Sequence, residues 1–214
     1  MGSRKPGPRP AVLGTCSLSP YNIPEGDRQR LEDGLSLVDE MARRAVLNGW
    51  RLDLALLPEH FAQGEKDPPS VNCEPLDGRV VSAMARKARE HGTYVGLALR
   101  LRDGDVFYNA LVMLDRSGEL VGVYRKVHPV LIPDGSLEGG IAPGRQYPVW
   151  ELDFGRVGAQ ICFDVFFEDG WEALDAKEAE LVLFTSATSG VAGVSLPCVT
   201  CSWYEYAPGI AREP

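Results

Sequence analysis

The segment Leu52–Leu57, LDLALL, constrains this chain more than any other, because it is short and almost continuously apolar. It is far below the roughly 18 apolar residues that a membrane-crossing helix needs, and it reads as a strand covered on both faces. Its neighbours have another period. From Asp27 to Asn48, apolar residues at Leu31, Leu35, Val38, Ala42, Ala45 and Val46 keep helical spacing, and Gly49 is a stop. Asp77 to His91 repeats the pattern with Val80, Val81, Met84, Ala85 and Ala88 on one side and Gly92 after it. Buried strands alternating with amphipathic helices imply a mixed α/β protein with its helices outside the sheet.

The remaining elements follow from the same patterning. Ala11 to Leu18 reads as a first strand. Tyr94 to Leu101, Val106 to Leu114 and Leu120 to Tyr124 are strand-like runs separated by the turn signals Arg102-Asp103-Gly104 and Arg116-Ser117-Gly118. The strands joined through Asp103-Gly104 are expected to be antiparallel. A long polar stretch rich in Gly and Pro follows from Lys126 to Tyr147, and loops of that length are usually functional or mobile. Strands are expected at Val149 to Leu152, Val157 to Cys162 and Leu181 to Thr185, with a helix over Gly170 to Lys177. The periodicity ends near Gly190. The expected organisation is a disordered lead-in over 1–10, one domain over 11–190 and an atypical tail over 191–214.

Composition narrows the function classes. Thirty Asp and Glu against 22 Lys and Arg give a formal net charge of -8, which repels a phosphate backbone and excludes nucleic acid as an expected partner. No apolar run suits a membrane span. The N-terminal MGSRKPGPRP has no apolar stretch behind its basic residues, so it does not read as a secretory signal, and Pro6 stands where myristoylation wants Ser or Thr. The five cysteines (16, 73, 162, 198 and 201) are odd in number, which suits free thiols in a reducing, cytoplasmic setting. Cys198 and Cys201 form a CxxC without a second pair at metal-binding spacing, and no metal or dithiol role is expected there.

Three ionisable residues directly follow apolar runs: Glu59 after LDLALLP, Lys126 after LVGVYR and Cys162 after VGAQI. Strand ends are where α/β proteins expose reactive side chains. Singly, each has a simpler explanation: a small core hydrophobe, a surface charge, a turn residue. Together they fill three chemical roles. A thiol attacks an amide or nitrile carbon, a carboxylate moves its proton, and an ammonium stabilises the charge developing on oxygen. For that task the carboxylate pKa is expected to be raised by the apolar surroundings of Leu54, Leu56 and Leu57.

The segments LLPEHF, YRKVHP and GAQICFDVFFED resemble, in order, the three motifs of the nitrilase, or carbon–nitrogen hydrolase, superfamily. The resemblance covers about Ala11 to Gly190 and implies an α-β-β-α sandwich that forms homodimers or higher oligomers. It implies Glu59, Lys126 and Cys162 as the catalytic triad, with Asp164 and Glu168 as structural residues of the nucleophile loop. LEGGIAPG resembles the family's E…PG segment and makes Glu138 a candidate fourth carboxylate. Ser186 to Gly190 fits the pocket-lining loop, so Ser186 is a candidate substrate-binding residue. Phe163, with Phe166 and Phe167, either lines an apolar pocket or packs the core. The implied substrates are small amides, carbamoyl compounds or nitriles, with an amide as the default, and no cofactor or metal is required. From Val191 onward the pattern departs from the family, and the C-terminal part of the fold is expected to be incomplete. Two alternatives stand beside this reading. One is an inactive, shortened relative with a binding role or none. The other is a Cys/His thiol hydrolase using His60, His91 or His128.

Overall fold

A computed structural model of the chain describes residues 10–17, 27–63 and 68–187. Strands β1 (Leu13–Thr15), β2 (Leu54–Leu57) and β3 (Tyr94–Asp103) lie parallel to one another. Parallel neighbours need a crossover. Helix α1 (Asp27–Leu47) lies between β1 and β2 in the chain. Helices α2 (Pro69–Asn72) and α3 (Arg79–His91) lie between β2 and β3. Strands β4 (Val106–Leu114) and β5 (Leu120–Arg125) then extend the sheet as an antiparallel meander, giving the order β1-β2-β3-β4-β5. A second sheet holds β6 (Val149–Leu152), β7 (Gly155–Ile161) and β8 (Leu181–Thr185), with β6 antiparallel and β8 parallel to β7. Between β7 and β8 come a 3-10 turn (Cys162–Phe166) and helix α4 (Glu168–Ala176).

Strand alternation sorts the core into two layers. Ala55 and Leu57 of β2, Leu97 and Leu99 of β3, and Val112 of β4 pack with Val38 and Ala42 of α1 and with Ala83 and Met84 of α3. The opposite faces of the same strands, through Leu54, Leu56, Leu111 and Met113, pack with Trp150, Val157, Ala159, Ile161 and Leu183 of the second sheet. Helix α4 sits close on β7, since a Cβ added at Gly158 would lie 2.5 Å from a methyl of Leu174. The layers therefore run helices, sheet, sheet, helix: the α-β-β-α sandwich. LDLALL is continuously apolar because both of its faces are cores. Gly92 ends α3 in the left-handed region (φ 57°), donating back to Ala88 and Arg89.

Several boundaries differ from expectation. The first strand covers three residues instead of running from Ala11, and Leu18 lies outside the described residues. Cys162 does not end β7: it opens the 3-10 turn. Helix α4 starts at Glu168, two residues early, where Glu168 and Asp169 in its first turn complement the helix dipole. Helix α2 has no sequence periodicity to betray it, being a single turn that begins at Pro69. The expectations for the lead-in before Pro10, for Cys198 and Cys201, for the tail over 191–214, and for the pocket loop beyond Ala187 lie outside the described residues. No helix among the described residues is long and apolar enough to cross a membrane.

Candidate active site

The strand ends of both sheets converge on one buried cluster. Glu59 follows β2 by one turn residue, and Lys126 directly follows β5. The Lys126 N–H donates to the Asn109 carbonyl (2.8 Å), extending the β4–β5 ladder by one rung. Glu59, Asn109 and Lys126 are 4%, 0% and 1% exposed. Lys126 Nζ donates to Glu59 Oε1 (3.1 Å) and to Glu138 Oε1 (2.6 Å). Asn109 Nδ2 donates to Glu59 Oε1 (2.6 Å) and Glu138 Oε2 (3.0 Å). The backbone N–H of Ala187, just past β8, donates to Glu59 Oε2 (2.6 Å). Glu138 is held by its own long loop as well, accepting from the Val130 N–H at 3.0 Å. That loop is pinned at several points: Glu138 N to Val130 O, Ala142 N to Phe107 O, and Gly144 N to Lys126 O.

Charge decides the protonation states. Burial opposes ionisation of Glu59, but His60, Lys126, the Asn109 amide and the Ala187 N–H outweigh it and hold the carboxyl below its ordinary range. The expected upward shift is therefore corrected: the apolar strand is present, yet the donors clustered at its end dominate. Burial alone would drive Lys126 toward the neutral amine, whereas the charges of Glu59 and Glu138 keep its pKa above the ordinary value. Cys162 is pushed up to about 11, by burial first and then by the Glu59 charge, against the pull of Lys126 and a hydrogen bond with Ser186. The resting cluster thus pairs a protonated thiol with an ionised carboxylate and an ammonium.

The backbone around the cluster is strained. His60, Glu138 and Cys162 all have positive φ (56°, 44° and 47°), a conformation that costs a non-glycine residue about 1–2 kcal/mol. Asp164 offsets part of this at the nucleophile. It is fully buried and accepts from Ile161 N (3.0 Å), the Tyr124 hydroxyl (2.6 Å) and His128 N (2.8 Å), tying both sides of the Cys162 turn to β5 and the loop after it. Glu168 does not share that work: it is exposed at the start of α4, and the bonds that orient the turn come from Asp164. The ring of Phe163 meets those of Phe166 and Phe167 edge-on at 5.6 and 5.2 Å.

The histidines have other partners. His128 stacks on Phe167 with centroids 3.7 Å apart, and its Nε2 meets Asp169 at 3.0 Å. His91 Nε2 meets Asp39 at 2.6 Å, and His60 Nε2 lies 3.9 Å from Glu59 Oε1. Beside burial, the groups that bear most on the Cys162 thiol are Glu59, Lys126, Ser186 and Glu138. Among the described residues, two groups have metal-ligand types close together: Glu59/His60/Glu138 and Asp39/Glu90/His91. In both a lysine already supplies the cation: Lys126 in the first, and in the second Lys87, 2.7 Å from Asp39 and 2.9 Å from Glu90. Cavities of about 350 and 730 Å³ flank Trp50 and the end of α1, and neither is lined by a residue of the cluster.

Sequence reasoning singled out Glu59, Lys126, Glu138 and Cys162, and the structure brings all four together. It did not single out Asn109 or the Ala187 N–H. Asn109 was detectable as a lone amide inside the apolar run VFYNALVML. The Ala187 donor is a backbone group and leaves no trace in side-chain identity.

A family model described as carbon-nitrogen hydrolase matches residues 16–199. Among curated proteins, the chain is 31% identical over 152 residues to a nitrilase from Pyrococcus abyssi, covering 69% of this chain and 56% of that protein. A carbon-nitrogen hydrolase from Helicobacter pylori superposes with a TM-score of 0.71 at 16% identity, covering 86% of this chain and 62% of the other. The amidase from Nesterenkonia sp. AN1 superposes at a TM-score of 0.61 with 25% identity, covering 75% of this chain and 63% of the other. That structure is of a glutamate-to-glutamine mutant showing acrylamide added at its active-site cysteine. The chain spans about half the length of the curated relatives it matches.

Proposed function

The chain belongs to the carbon–nitrogen hydrolase family, and from that premise we propose that it hydrolyses a small amide through a Cys162 thioester. The carrying observation is the Glu59–Lys126 pair, 3.1 Å apart and buried, with both charges bearing on the Cys162 thiol. In this reading Cys162 Sγ attacks the carbonyl carbon while its proton passes to Glu59. Lys126 offers an ammonium to the oxygen that gains charge in the tetrahedral intermediate. Glu59 returns the proton to the departing nitrogen, which leaves as ammonia or an amine, and a thioester remains. Glu59 then takes a proton from water as the water oxygen attacks the thioester carbon. Collapse of the second intermediate expels the sulfur, which recovers its proton, and a carboxylic acid departs. Glu138 holds Lys126 beside Glu59 by a second hydrogen bond, at 2.6 Å.

The low pKa direction of Glu59 is compatible with this role. A thiol near pKa 11 beside a strong carboxylate stays protonated until a bound carbonyl takes up charge, so proton transfer accompanies attack instead of preceding it. The amide-directed relatives support the substrate class, and the acrylamide adduct on the Nesterenkonia amidase cysteine supports a nucleophilic thiol at the position of Cys162. The need to keep that thiol reduced favours a reducing compartment such as the cytoplasm.

The test is to incubate the chain with short aliphatic amides, N-carbamoyl compounds and nitriles, following ammonia release and the mass of the Cys162 peptide. The expected result is ammonia from an amide and an acyl adduct confined to Cys162, both absent in Cys162→Ala. Turnover persisting in Cys162→Ala would refute the mechanism. A protein that folds cooperatively yet forms no adduct with any of the panel would favour the non-catalytic alternative.

A further inference from the structure

We propose that Asn109 is a positioning residue, whose amide holds Glu59 and Glu138 together around the single ammonium of Lys126 so that Glu59 stays available as a base. The inference rests on Glu59 and Cys162 acting as base and nucleophile. Three observations lead to it. First, Asn109 is fully buried in β4, in a run that otherwise feeds two apolar cores. Second, one nitrogen, Nδ2, serves both carboxylates, at 2.6 and 3.0 Å. Third, the Oδ1 of the same amide is buried with no hydrogen-bond partner among the described residues. An acceptor left unsatisfied in a core is a standing penalty that an apolar residue of the same shape would not carry. What only its N–H pair supplies is a neutral, non-titrating bridge between two like charges.

The need for such a bridge follows from the charge count. Glu59 and Glu138 bring carboxylate oxygens within 4.8 Å of each other, and Lys126 is the cation that bonds both, with His60 bearing on Glu59 from 3.9 Å. Two carboxylates this close tend to share a proton, which would disable the base. The groups facing Glu59 are His60 on its own turn, Lys126 at the end of β5, Glu138 on the long loop, Cys162 on the turn after β7 and the Ala187 N–H beyond β8. Asn109, from β4, is the uncharged side chain that reaches both carboxylates. Its main-chain carbonyl also receives the Lys126 N–H, so one residue fixes the spacing of all three charged groups.

The experiment needs no substrate. Iodoacetamide alkylation of Cys16, Cys73 and Cys162 is followed by peptide mass spectrometry from pH 4 to 10. It is run in the full-length wild type, Asn109→Leu and Asn109→Ser, alongside thermal melts. Leu matches the shape without any donor, while Ser keeps a short neutral donor in a smaller side chain. In the wild type Cys162 is expected to outpace the other two, with a lower pH limb set by protonation of Glu59. In Asn109→Leu that limb should move up by about one pH unit or more, and melting near neutrality should fall with it, because a carboxylate whose folded pKa is raised costs stability above the unfolded value. In Asn109→Ser the limb should move less, although the smaller side chain lowers the melting temperature. If Asn109→Leu keeps the wild-type limb, the inference fails while the site reading survives. If limb shift simply tracks the loss of melting temperature, so that Ser exceeds Leu, Asn109 is structural only and the inference again fails. Should Asn109→Leu not fold, a Ser limb identical to the wild type would overturn the proposal and a shifted one would uphold it. Wild-type Cys162 reacting no differently from Cys16 and Cys73 would remove the site reading and this inference together.

Discussion

Replacing Lys126 by Met keeps the length and most of the volume of the side chain but removes the one positive charge between Glu59 and Glu138. The lysine is 1% exposed, so water screens little of the change. Breaking a buried ion pair by removing one partner costs about 3–5 kcal/mol. The site has a way to limit the loss: one carboxyl can take up a proton. A carboxyl protonated in the folded variant up to pH 7, but ionising near 4.3 when unfolded, loses about 1.4 kcal/mol per pH unit over about 2.7 units, close to 4 kcal/mol. The two routes agree. The sign of the pH dependence then separates the proteins. In the wild type, Glu59 is held below its ordinary range, so its contribution is present above the unfolded pKa and lost as the pH falls through the folded value. In Lys126→Met the raised carboxyl contributes most in acid and loses that contribution as the pH rises from about 4.3. Urea unfolding followed by circular dichroism at pH 4.5, 5.5, 6.5 and 7.5 should give stability curves that diverge with rising pH, to about 3–4 kcal/mol near neutrality. Turnover should fall by about 10²–10³ for loss of the oxyanion partner. Parallel stability curves across the series would refute the charge reasoning.

Two further expectations follow from the same geometry. Cys162→Gly should be more stable than Cys162→Ala by roughly 1 kcal/mol in denaturant melts, because only glycine accepts a φ of 47° without strain, and equal stability would mean the turn relaxes when the thiol is removed. His128→Gln should keep kcat/KM within about tenfold of wild type, since a general base normally contributes about 10²–10⁴, and a loss comparable with Cys162→Ala would revive a Cys/His mechanism.

Much of the architecture was readable because its signals are local and periodic. Val80, Val81, Met84, Ala85 and Ala88 define one helix face whatever they pack against, and Asp103-Gly104 announces a hairpin. The residues that cluster were readable at strand ends, where Glu59, Lys126 and Cys162 interrupt apolar runs. What escaped depended on contacts between distant segments. The Glu59 pKa direction could not be read from the apolar run before it, because the neighbouring His60 is joined in reversing it by groups from β4, the end of β5 and the chain beyond β8. The left-handed backbone at Cys162 could not be read from a cysteine, since sequence favours glycine at such positions and the strain is sustained here by Asp164, two residues on. Glu168 matched a motif spacing, yet helix α4 turns its side chain out to solvent.

The charge count of the cluster bears on why the thiol rests protonated. Burial first, and then the charges of Glu59 and Glu138 against that of Lys126, push the thiol pKa up to about 11. A site built only for a reactive thiolate would lower that value, as a thiol beside a cation does. Here the ammonium is committed at rest: two of its three N–H donors are accounted for by Glu59 and Glu138. The third is what an incoming oxygen can use. In the proposed mechanism, charge that forms only while the carbonyl is attacked meets an ammonium already oriented and desolvated, so the stabilisation falls on the transition state and not on the resting state. In the proposed mechanism Glu138 serves for restraint as much as for positioning, since its bond to Lys126 opposes ionisation of Cys162 before a substrate is bound.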